Sequence, residues 1–444
     1  MRRSRALAGG PLLLLLLLAC RAERPAAPAP LSEAAGWLQA YLRLDTTNPP
    51  GGERAAAELL AGVLAEAGVD HELLDAGDGR PSLWAFLPPT EPAAGAQTLL
   101  MLHHMDVVPA GPSWRAPPFG GEVREGELWG RGAIDAKSLG VAQLAALVAL
   151  AREGGPRRRG VALFAAADEE RGGRLGVERW LTLRPELLDG VAAVVNEGGS
   201  NRGFGGRLHW WGIEVAQKRP LWIEATAGDP AALVAGLRRL VDLPPSWRVS
   251  PAVRFTFGEL APHYNDHWRA IFLDLDRFVL PGGPTVQLLP GMATFFLDSL
   301  QANELEVLPD GRGRARIDVR LLPDSDAGAW LPRIRGLLGP AIEVEVLLSA
   351  PAVEASPWDG PWVGALTRVL GPVAPVVPQM GAGITDSRFF RERGVPAYGL
   401  SPFILDGELM RTIHGRDERI PLAELERGTA RMTELVALWA RGAH

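Results

Sequence analysis

The sequence predicts an α/β protein with a mostly parallel central sheet, interrupted by a smaller α+β segment. Three continuous apolar runs, Thr98–Leu102, Val161–Ala167 and Val191–Val195, have the length and composition of strands buried on both faces. A helical pattern over Lys137–Arg152 separates the first two runs, and this alternation is typical of parallel sheets. Near Trp210 the pattern changes to half-buried strands, which indicates a second architecture.

The remaining elements follow in chain order. Before the first apolar run, Ala34–Leu44 and Ala55–Ala67 are predicted to be helices, and the second ends at Gly68. Beyond Trp210 we predict strands and helices at Ile213–Val215, Leu221–Thr226, Pro230–Val241, Ala315–Leu321, Asp326–Leu338, Ile342–Leu348, Pro361–Leu370 and Ala397–Leu400. Residues 246–297 show no pattern that predicts an element.

These patterns divide the chain into three structural parts. At 444 residues the chain exceeds one ordinary domain. We predict a larger α/β domain formed by residues 31–212 and 351–444, with residues 213–350 inserted between its two parts. Hydrophobic residues make up 47% and charged residues 22%, as in soluble globular proteins. The net charge of −6 argues against a nucleic-acid partner, which would require a basic surface.

The first residues have the composition of a secretory signal. Three arginines among the first five residues precede an apolar run, Ala6–Ala19, that is too short to span a bilayer. The run leads into Leu-Leu-Ala-Cys, which resembles the cleavage box of bacterial lipoproteins and ends at Cys20, the only cysteine. We therefore predict that residues 1–20 are a lipoprotein signal peptide and that Cys20 carries the lipid.

A Pro/Ala-rich stretch over residues 21–30 is predicted to be a tether, because it cannot pack a core. These features predict a membrane-anchored protein of the bacterial cell envelope that faces the periplasm or the exterior. The alternative is ordinary signal cleavage a few residues later, in which Cys20 is removed.

Polar side chains follow each of the three predicted buried strands. His104 and Asp106 come after the first strand, Glu169 and Glu170 after the second, and Glu197 after the third. Ligands of open α/β sheets bind beyond the carboxyl ends of the strands. We therefore expect these imidazole and carboxylate groups to meet at one edge of the sheet.

Two further residues complete a candidate metal site. Asp135 precedes the helical pattern, and His414 lies in a loop near the C-terminus. Without thiolate ligands, imidazole and carboxylate favour zinc, and two ions need about three ligands each. The candidate ligands are His104, Asp135, Glu170, Glu197 and His414. Asp106 is placed to orient the His104 ring, and Glu169 remains for a general base.

Each of these residues also has an ordinary structural explanation. A Glu-Glu pair is usually solvated, and an Asp before a helix is usually an N-cap. Their joint occurrence at strand ends favours the metal site.

Three motifs resemble the dinuclear zinc metallopeptidases of family M20. They are Leu102–Gly140, Ala167–Gly172 (ADEERG) and Asn196–Gly199 (NEGG). The family includes aminoacylase, glutamate carboxypeptidase, acetylornithine deacetylase and succinyl-diaminopimelate desuccinylase. The sequence is most similar to the long, secreted N-acyl-amino-acid amidohydrolases, and the resemblance extends over nearly everything after Leu31.

The resemblance implies a role for each candidate ligand. Asp135 would bridge two zinc ions, of which one is also held by His104 and Glu197 and the other by Glu170 and His414. It further implies that Glu169 activates the attacking water and later protonates the leaving nitrogen. The family fold implies a zinc-binding catalytic domain at residues 31–212 and 351–444. It also implies a lid and dimerisation domain at residues 213–350, hence a homodimer.

Substrate-binding residues are also implied by the resemblance. Arg320 matches the family's substrate-binding arginine, and Gly383 lies in a Gly-rich substrate loop, Gly381–Arg388. The lid departs from the family, because Ala225–Pro230 lacks the expected histidine that holds the oxyanion, and Glu306 stands where an asparagine is expected. One hypothesis is that His263 or His267 replaces this histidine; the alternative is that both are surface residues.

The predicted activity is hydrolysis of an amide bond in a peptide or an N-acyl amino acid, as in carboxypeptidases and aminoacylases. A dipeptidase of the same family is one alternative, because pocket shape decides the substrate. A lipid-anchored binding protein with a relic metal site is the other.

Overall fold

The computed structural model of the protein describes residues 30–92, 97–204, 207–288 and 291–442. The predicted signal peptide with Cys20, and residues 21–29 of the predicted tether, lie outside the described residues. Within the described ranges, no helix has the length and apolar character needed to cross a membrane.

Several helices begin at a polar residue whose side chain accepts a hydrogen bond from a backbone N–H of the first turn. The bounds of the helices are α1 (Glu33–Leu42), α2 (Glu53–Glu66), α3 (Lys137–Glu153), α4 (Val177–Leu183), α5 (Pro230–Val241), α6 (Pro251–Leu260), α7 (Asp266–Leu273), α8 (Leu275–Phe278), α9 (Ala327–Leu338), α10 (Gly360–Leu370), α11 (Ser387–Arg391), α12 (Gly407–Met410) and α13 (Leu422–Arg441). At α1, the Ser32 side chain accepts a hydrogen bond from the Ala35 backbone N–H (3.1 Å), and Asp229 caps α5 similarly. Helix α5 has the predicted bounds.

A large sheet forms the centre of the molecule. Its strands are β1 (His71–Leu74), β2 (Ser82–Leu87), β3 (Thr98–His104), β6 (Gly160–Ala166), β7 (Val191–Asn196), β8 (Arg202–Phe204), β9 (Arg207–Gln217), β16 (Val376–Gly381) and β17 (Ala397–Gly399). The order is β1-β2-β6-β3-β7-β17-β9-β16, with β8 paired to β9. Strands β6, β3, β7 and β17 run parallel, whereas β1 and β2 are antiparallel. The predicted α/β class with a mostly parallel sheet is confirmed.

The smaller sheet is antiparallel and has the order β13-β14-β10-β15. Its strands are β10 (Arg219–Ala227), β13 (Ser299–Val307), β14 (Gly313–Leu321) and β15 (Ile342–Ser349). Residues of β10 and β14 alternate between buried and partly exposed, because one face packs on α5 and α9. The predicted insertion begins at residue 213, which lies within β9 of the large sheet, ahead of the smaller sheet.

Short strands complete the described fold. β4 (Glu122–Arg124), β5 (Glu127–Trp129) and β18 (Arg419–Pro421) form one small sheet, and β11 (Val279–Leu280) pairs with β12 (Gly283–Pro284).

Residues 246–297, where no element was predicted, form helices α6 to α8 around an aromatic cluster. Phe257 stacks on Phe296, with ring centroids 5.4 Å apart, and lies 4.9 Å from Phe272. Helix α6 packs on β16 of the large sheet, where Thr256 Oγ1 accepts a hydrogen bond from the Met380 N–H (3.0 Å). This part of the predicted insertion therefore packs against the central sheet.

Candidate metal centre

Three neighbouring parallel strands deliver the candidate residues to one edge of the sheet. His104 is the last residue of β3, and Glu197 directly follows β7. Glu169 and Glu170 lie in a short 3-10 helix after β6. Because β6, β3 and β7 are adjacent and parallel, their carboxyl ends place these side chains together.

Two groups of potential metal ligands share Asp135. In the first group, His104 Nε2 lies 3.1 Å from Asp135 Oδ1 and 3.6 Å from Glu197 Oε2. In the second, His414 Nε2 lies 3.1 Å from Asp135 Oδ2 and 3.3 Å from Glu170 Oε2. The donor atoms within each group lie within 4.8 Å of one another. The structure thus brings all five predicted ligands together, and the two oxygens of Asp135 face different groups.

The electrostatics of the centre favour bound cations. Burial raises the pKa of Glu197 to about 8, and the charge of Asp135 adds to this shift against the opposing charge of His104. Burial, followed by the charge of Glu197, raises the pKa of Glu169 well above its usual range. Burial also raises the pKa of Glu170. A divalent cation in each group would offset this crowding, and the imidazole and carboxylate donors fit zinc.

The His104 ring is oriented by a backbone group. His104 Nδ1 donates to the backbone carbonyl of Asp106 (2.8 Å), which leaves Nε2 free to bind a metal. The carboxylate of Asp106, expected to orient this ring, lies farther away at 3.6 Å. It also accepts hydrogen bonds from the backbone N–H groups of Glu169 and Glu170, both at 3.1 Å. Asp106 therefore holds the turn that carries the candidate base and one candidate ligand.

A buried polar network behind this turn was missed by sequence reasoning. Asn48 Nδ2 donates to Asp106 Oδ2 (2.8 Å) and Asp168 Oδ1 (3.1 Å). Arg80 also binds Asp168 Oδ1 (3.1 Å) and pairs with Glu53. Asp168 adopts φ +71°, so the turn departs sharply from the strand direction. The one sequence signal for this network was the position of Asn48 before a Pro-Pro-Gly-Gly turn.

Glu418 was also missed, although it fixes the position of Asp135. Its buried carboxylate accepts from the backbone N–H groups of Gly132 (2.9 Å), Ile134 (2.8 Å) and Asp135 (3.0 Å). It also pairs with the buried Arg131 at 2.5 Å. The loop that presents the shared ligand is therefore held by a carboxylate from a distant part of the chain.

The predicted substrate-binding residues lie outside the two ligand groups. Arg320 on β14 pairs with Asp318 through Nε (2.9 Å). Gly383 is exposed in the loop between β16 and α11. The smaller sheet approaches the centre at Trp222, because a Cβ on Gly172 would lie 3.3 Å from the Trp222 ring. Its partly exposed face therefore lies near the turn that carries Glu169.

The two lid histidines lie on the exposed surface. His263 follows α6 and His267 is in the first turn of α7, where its ring contacts Trp268 at 5.6 Å. Among the described residues, neither ring forms a hydrogen bond or ion pair with a candidate ligand. This position favours the surface interpretation over replacement of the missing lid histidine.

Comparisons with known proteins agree with this geometry. Residues 100–438 match the model of Peptidase family M20/M25/M40. Succinyl-diaminopimelate desuccinylase of Gluconobacter oxydans (strain 621H) is 28% identical over 87% of this chain and 92% of its own length. Human aminoacylase-1 is 26% identical over 89% of this chain and 92% of its own length. The crystal structure of an M20 family metallo-carboxypeptidase from Sulfolobus solfataricus has a similar fold (TM-score 0.69, 18% identity, covering 92% of this chain and 100% of that chain).

The family match extends through all three strand ends that carry the candidate ligands and continues past His414. The resemblance expected from the sequence motifs is therefore confirmed. The chain belongs to the M20/M25/M40 peptidase family and is a metal-dependent hydrolase of C–N bonds, of the aminoacylase and desuccinylase type.

Proposed function

We propose that the protein hydrolyses the amide bond of a peptide or an N-acyl amino acid, using two zinc ions and Glu169 as general base. The observation that carries this proposal is the sharing of Asp135 between two ligand groups. Glu169 belongs to neither group, although it is adjacent in sequence to the ligand Glu170. It is therefore free to exchange protons beside the metals.

The residues around the centre have distinct parts in this reaction. When bound, the two metal ions lower the pKa of the attacking water and polarise the scissile carbonyl. Glu169 accepts the proton of that water and returns it to the leaving nitrogen. The Asp106 carboxylate keeps Glu169 in place by accepting a hydrogen bond from the Glu169 backbone N–H. Arg320, on the smaller sheet, and the loop at Gly383, which follows β16 of the large sheet, bind the substrate.

Metal content tests the first part of the proposal. Purified protein is expected to contain two zinc ions per chain, because the ligands form two groups. His414→Ala is expected to lower both zinc content and activity, because it removes a ligand of the second group only. Elemental analysis of the two proteins checks this, and carefully prepared wild-type protein without any bound transition metal would rule it out.

A substrate panel separates the proposed activity from its alternatives. Zinc-loaded protein is tested on dipeptides and on N-acyl amino acids, because one family fold serves both classes. Preference for unblocked dipeptides would favour a dipeptidase. Binding of zinc without cleavage of either class would favour a non-catalytic binding protein.

We also propose that Cys20 anchors the protein to a membrane of the bacterial cell envelope. The support is the leader pattern before Cys20 and the tether after it. Acyl chains contribute about 0.8 kcal/mol per buried CH₂, so Cys20→Ala is expected to release the protein from membranes or to block its processing. Membrane fractionation with N-terminal mass spectrometry measures this. Wild-type protein that is soluble and begins beyond Cys20 would contradict it.

The smaller sheet is proposed to form a homodimer. β13 is an edge strand, and Leu305 and Val307 on it are 55% and 65% exposed. Val241 at the end of α5 is 58% exposed. Exposed apolar residues on an unpaired edge favour association with another chain. Light scattering of the wild-type protein is expected to give twice the mass of one chain. The double variant with Leu305→Glu and Val307→Glu is expected to give the mass of one chain. A monomeric wild-type protein would exclude this interface.

A further inference from the structure

A cavity of about 230 Å³ lies between the chain segments that carry two of the candidate ligands. One wall is formed by residues 199–201, which follow Glu197, and the other by residues between Ser401 and Met410, which precede His414. The Leu400 N–H donates to the Asn196 carbonyl (2.8 Å) and ties the two walls together beside Glu197. The cavity wall therefore begins two residues after Glu197, a ligand of the first group, and ends four residues before His414, a ligand of the second.

The walls of this cavity are mainly apolar and carry no charge. Phe403 and Leu405 are almost fully buried, whereas Met410 is 42% exposed. No charged side chain lines the cavity within the described residues. A carboxylate or ammonium group that entered would lose water without gaining a counter-charge, which is unfavourable.

The polar atoms of the walls also disfavour an anion. Asn201 Nδ2 is occupied by the carbonyls of Ser401 (2.9 Å) and Phe403 (2.7 Å). Asn201 Oδ1 is buried and, among the described residues, has no hydrogen-bond partner. The Ser200 hydroxyl is bonded to the side chain of Gln379. The side-chain donors of Asn201 and Ser200 are therefore already used within the protein, and neither is free to bind an incoming carboxylate.

We propose that this cavity binds an uncharged, mainly apolar substituent of the substrate, next to the scissile amide. A cavity of about 150 Å³ accepts benzene, so the present volume has room for a benzyl group or a branched aliphatic chain. The inference rests on the proposed amide hydrolysis and narrows it. It predicts that substrates whose substituent at this position ends in a carboxylate, such as a succinyl group, are poor.

Matched substrates test this preference with zinc-loaded, full-length protein. One series varies the acyl group on leucine (phenylacetyl, hexanoyl, succinyl, glutaryl), and a second varies the amino acid under a constant acyl group. In the series that occupies the cavity, kcat/KM is expected to be about 100-fold higher for neutral than for carboxylate-bearing substituents. Equal rates, or faster cleavage of the carboxylate-bearing members in both series, would overturn the cavity proposal but leave amide hydrolysis standing.

A variant at the rim makes the test specific to this cavity. Met410→Arg places a positive charge at the exposed position and is expected to shift the preference toward succinyl and glutaryl substituents by about tenfold. Met410→Leu keeps the size without charge and is expected to retain the wild-type preference. An unchanged preference in the arginine variant would mean that the substituent binds elsewhere.

Binding measurements keep the inference testable if no amide is cleaved. Calorimetry on the zinc-loaded Glu169→Gln protein compares hexanoyl-leucine with succinyl-leucine, which differ in the acyl group. A second pair of ligands keeps the acyl group constant and compares a neutral with a carboxylate-bearing amino acid. Tighter binding of the neutral ligand, by about tenfold, supports the cavity assignment without any turnover. Equal or tighter binding of the charged ligand in both arrangements rejects it, whereas lack of cleavage by wild-type protein rejects the proposed function alone.

Discussion

Glu169→Gln is expected to lower kcat by about 10⁴-fold, near the upper limit for loss of a general base, while the metal content stays close to that of wild type. Glutamine keeps the size of the side chain but cannot accept a proton from the attacking water. Steady-state kinetics with the best amide substrate, together with elemental analysis of the same preparation, measures both quantities.

The geometry explains why the metal should remain in this variant. The Glu169 carboxylate belongs to neither ligand group, and its backbone N–H, which binds Asp106, is unchanged by the substitution. Burial already raises the pKa of Glu169, which makes its carboxylate a stronger base for the proton of the attacking water.

Glu170→Gln is the matched control, because it makes the same chemical change at the next residue. Glu170 Oε2 lies 3.3 Å from His414 Nε2 in the second ligand group, so this variant is expected to lose metal. If the Glu169→Gln variant lost metal, or if it kept wild-type turnover, the roles of Glu169 as base and Glu170 as ligand would be assigned wrongly.

The sequence predicted the parts of the fold that have a local signature. Val161–Ala167 and Val191–Val195 are apolar throughout because these strands are buried on both faces, and they appear as β6 and β7 with nearly the predicted bounds. The polar residues after them are conspicuous for the same reason, since they end apolar runs. That is why the candidate ligands at strand ends could be chosen before the structure was known.

Features that depend on distant contacts had no such signature. Nothing local shows that the Asp106 carboxylate also accepts hydrogen bonds from two backbone N–H groups, so this contact was absent from the prediction. Its part in orienting the His104 ring stays a prediction. The helices of residues 246–297 are held by aromatic contacts and by packing on β16. Such contacts leave no periodic pattern in the sequence. Helix α13 was not predicted either, although it packs on α3.

Glu418→Gln is expected to lower the free energy of unfolding by about 3–5 kcal/mol, because it leaves the buried Arg131 without its counter-charge. Arg131 is 1% exposed and Glu418 is fully buried, so water cannot replace the lost carboxylate. Urea denaturation of metal-free protein measures this effect separately from any change in metal binding.

The same variant is expected to bind zinc about 10–100-fold more weakly, as is typical when a group that supports a metal ligand is altered. The carboxylate of Glu418 binds the N–H groups of Ile134 (2.8 Å) and Asp135 (3.0 Å) through one oxygen and that of Gly132 (2.9 Å) through the other. A glutamine amide has one acceptor oxygen, so its NH₂ group would face at least one backbone donor. The loop that presents Asp135 to both ligand groups would have to shift.

Glu424→Gln provides the comparison that separates these two effects. Glu424 is also almost fully buried, and it pairs with Arg427 and Arg431, both at 2.7 Å, but it holds no residue of the Asp135 loop. Its substitution is expected to lower stability and to leave zinc affinity unchanged. If both variants bind zinc as tightly as wild type, Glu418 supports the fold alone. If the Glu418 variant loses affinity while the Glu424 variant does not, the carboxylate positions the shared ligand.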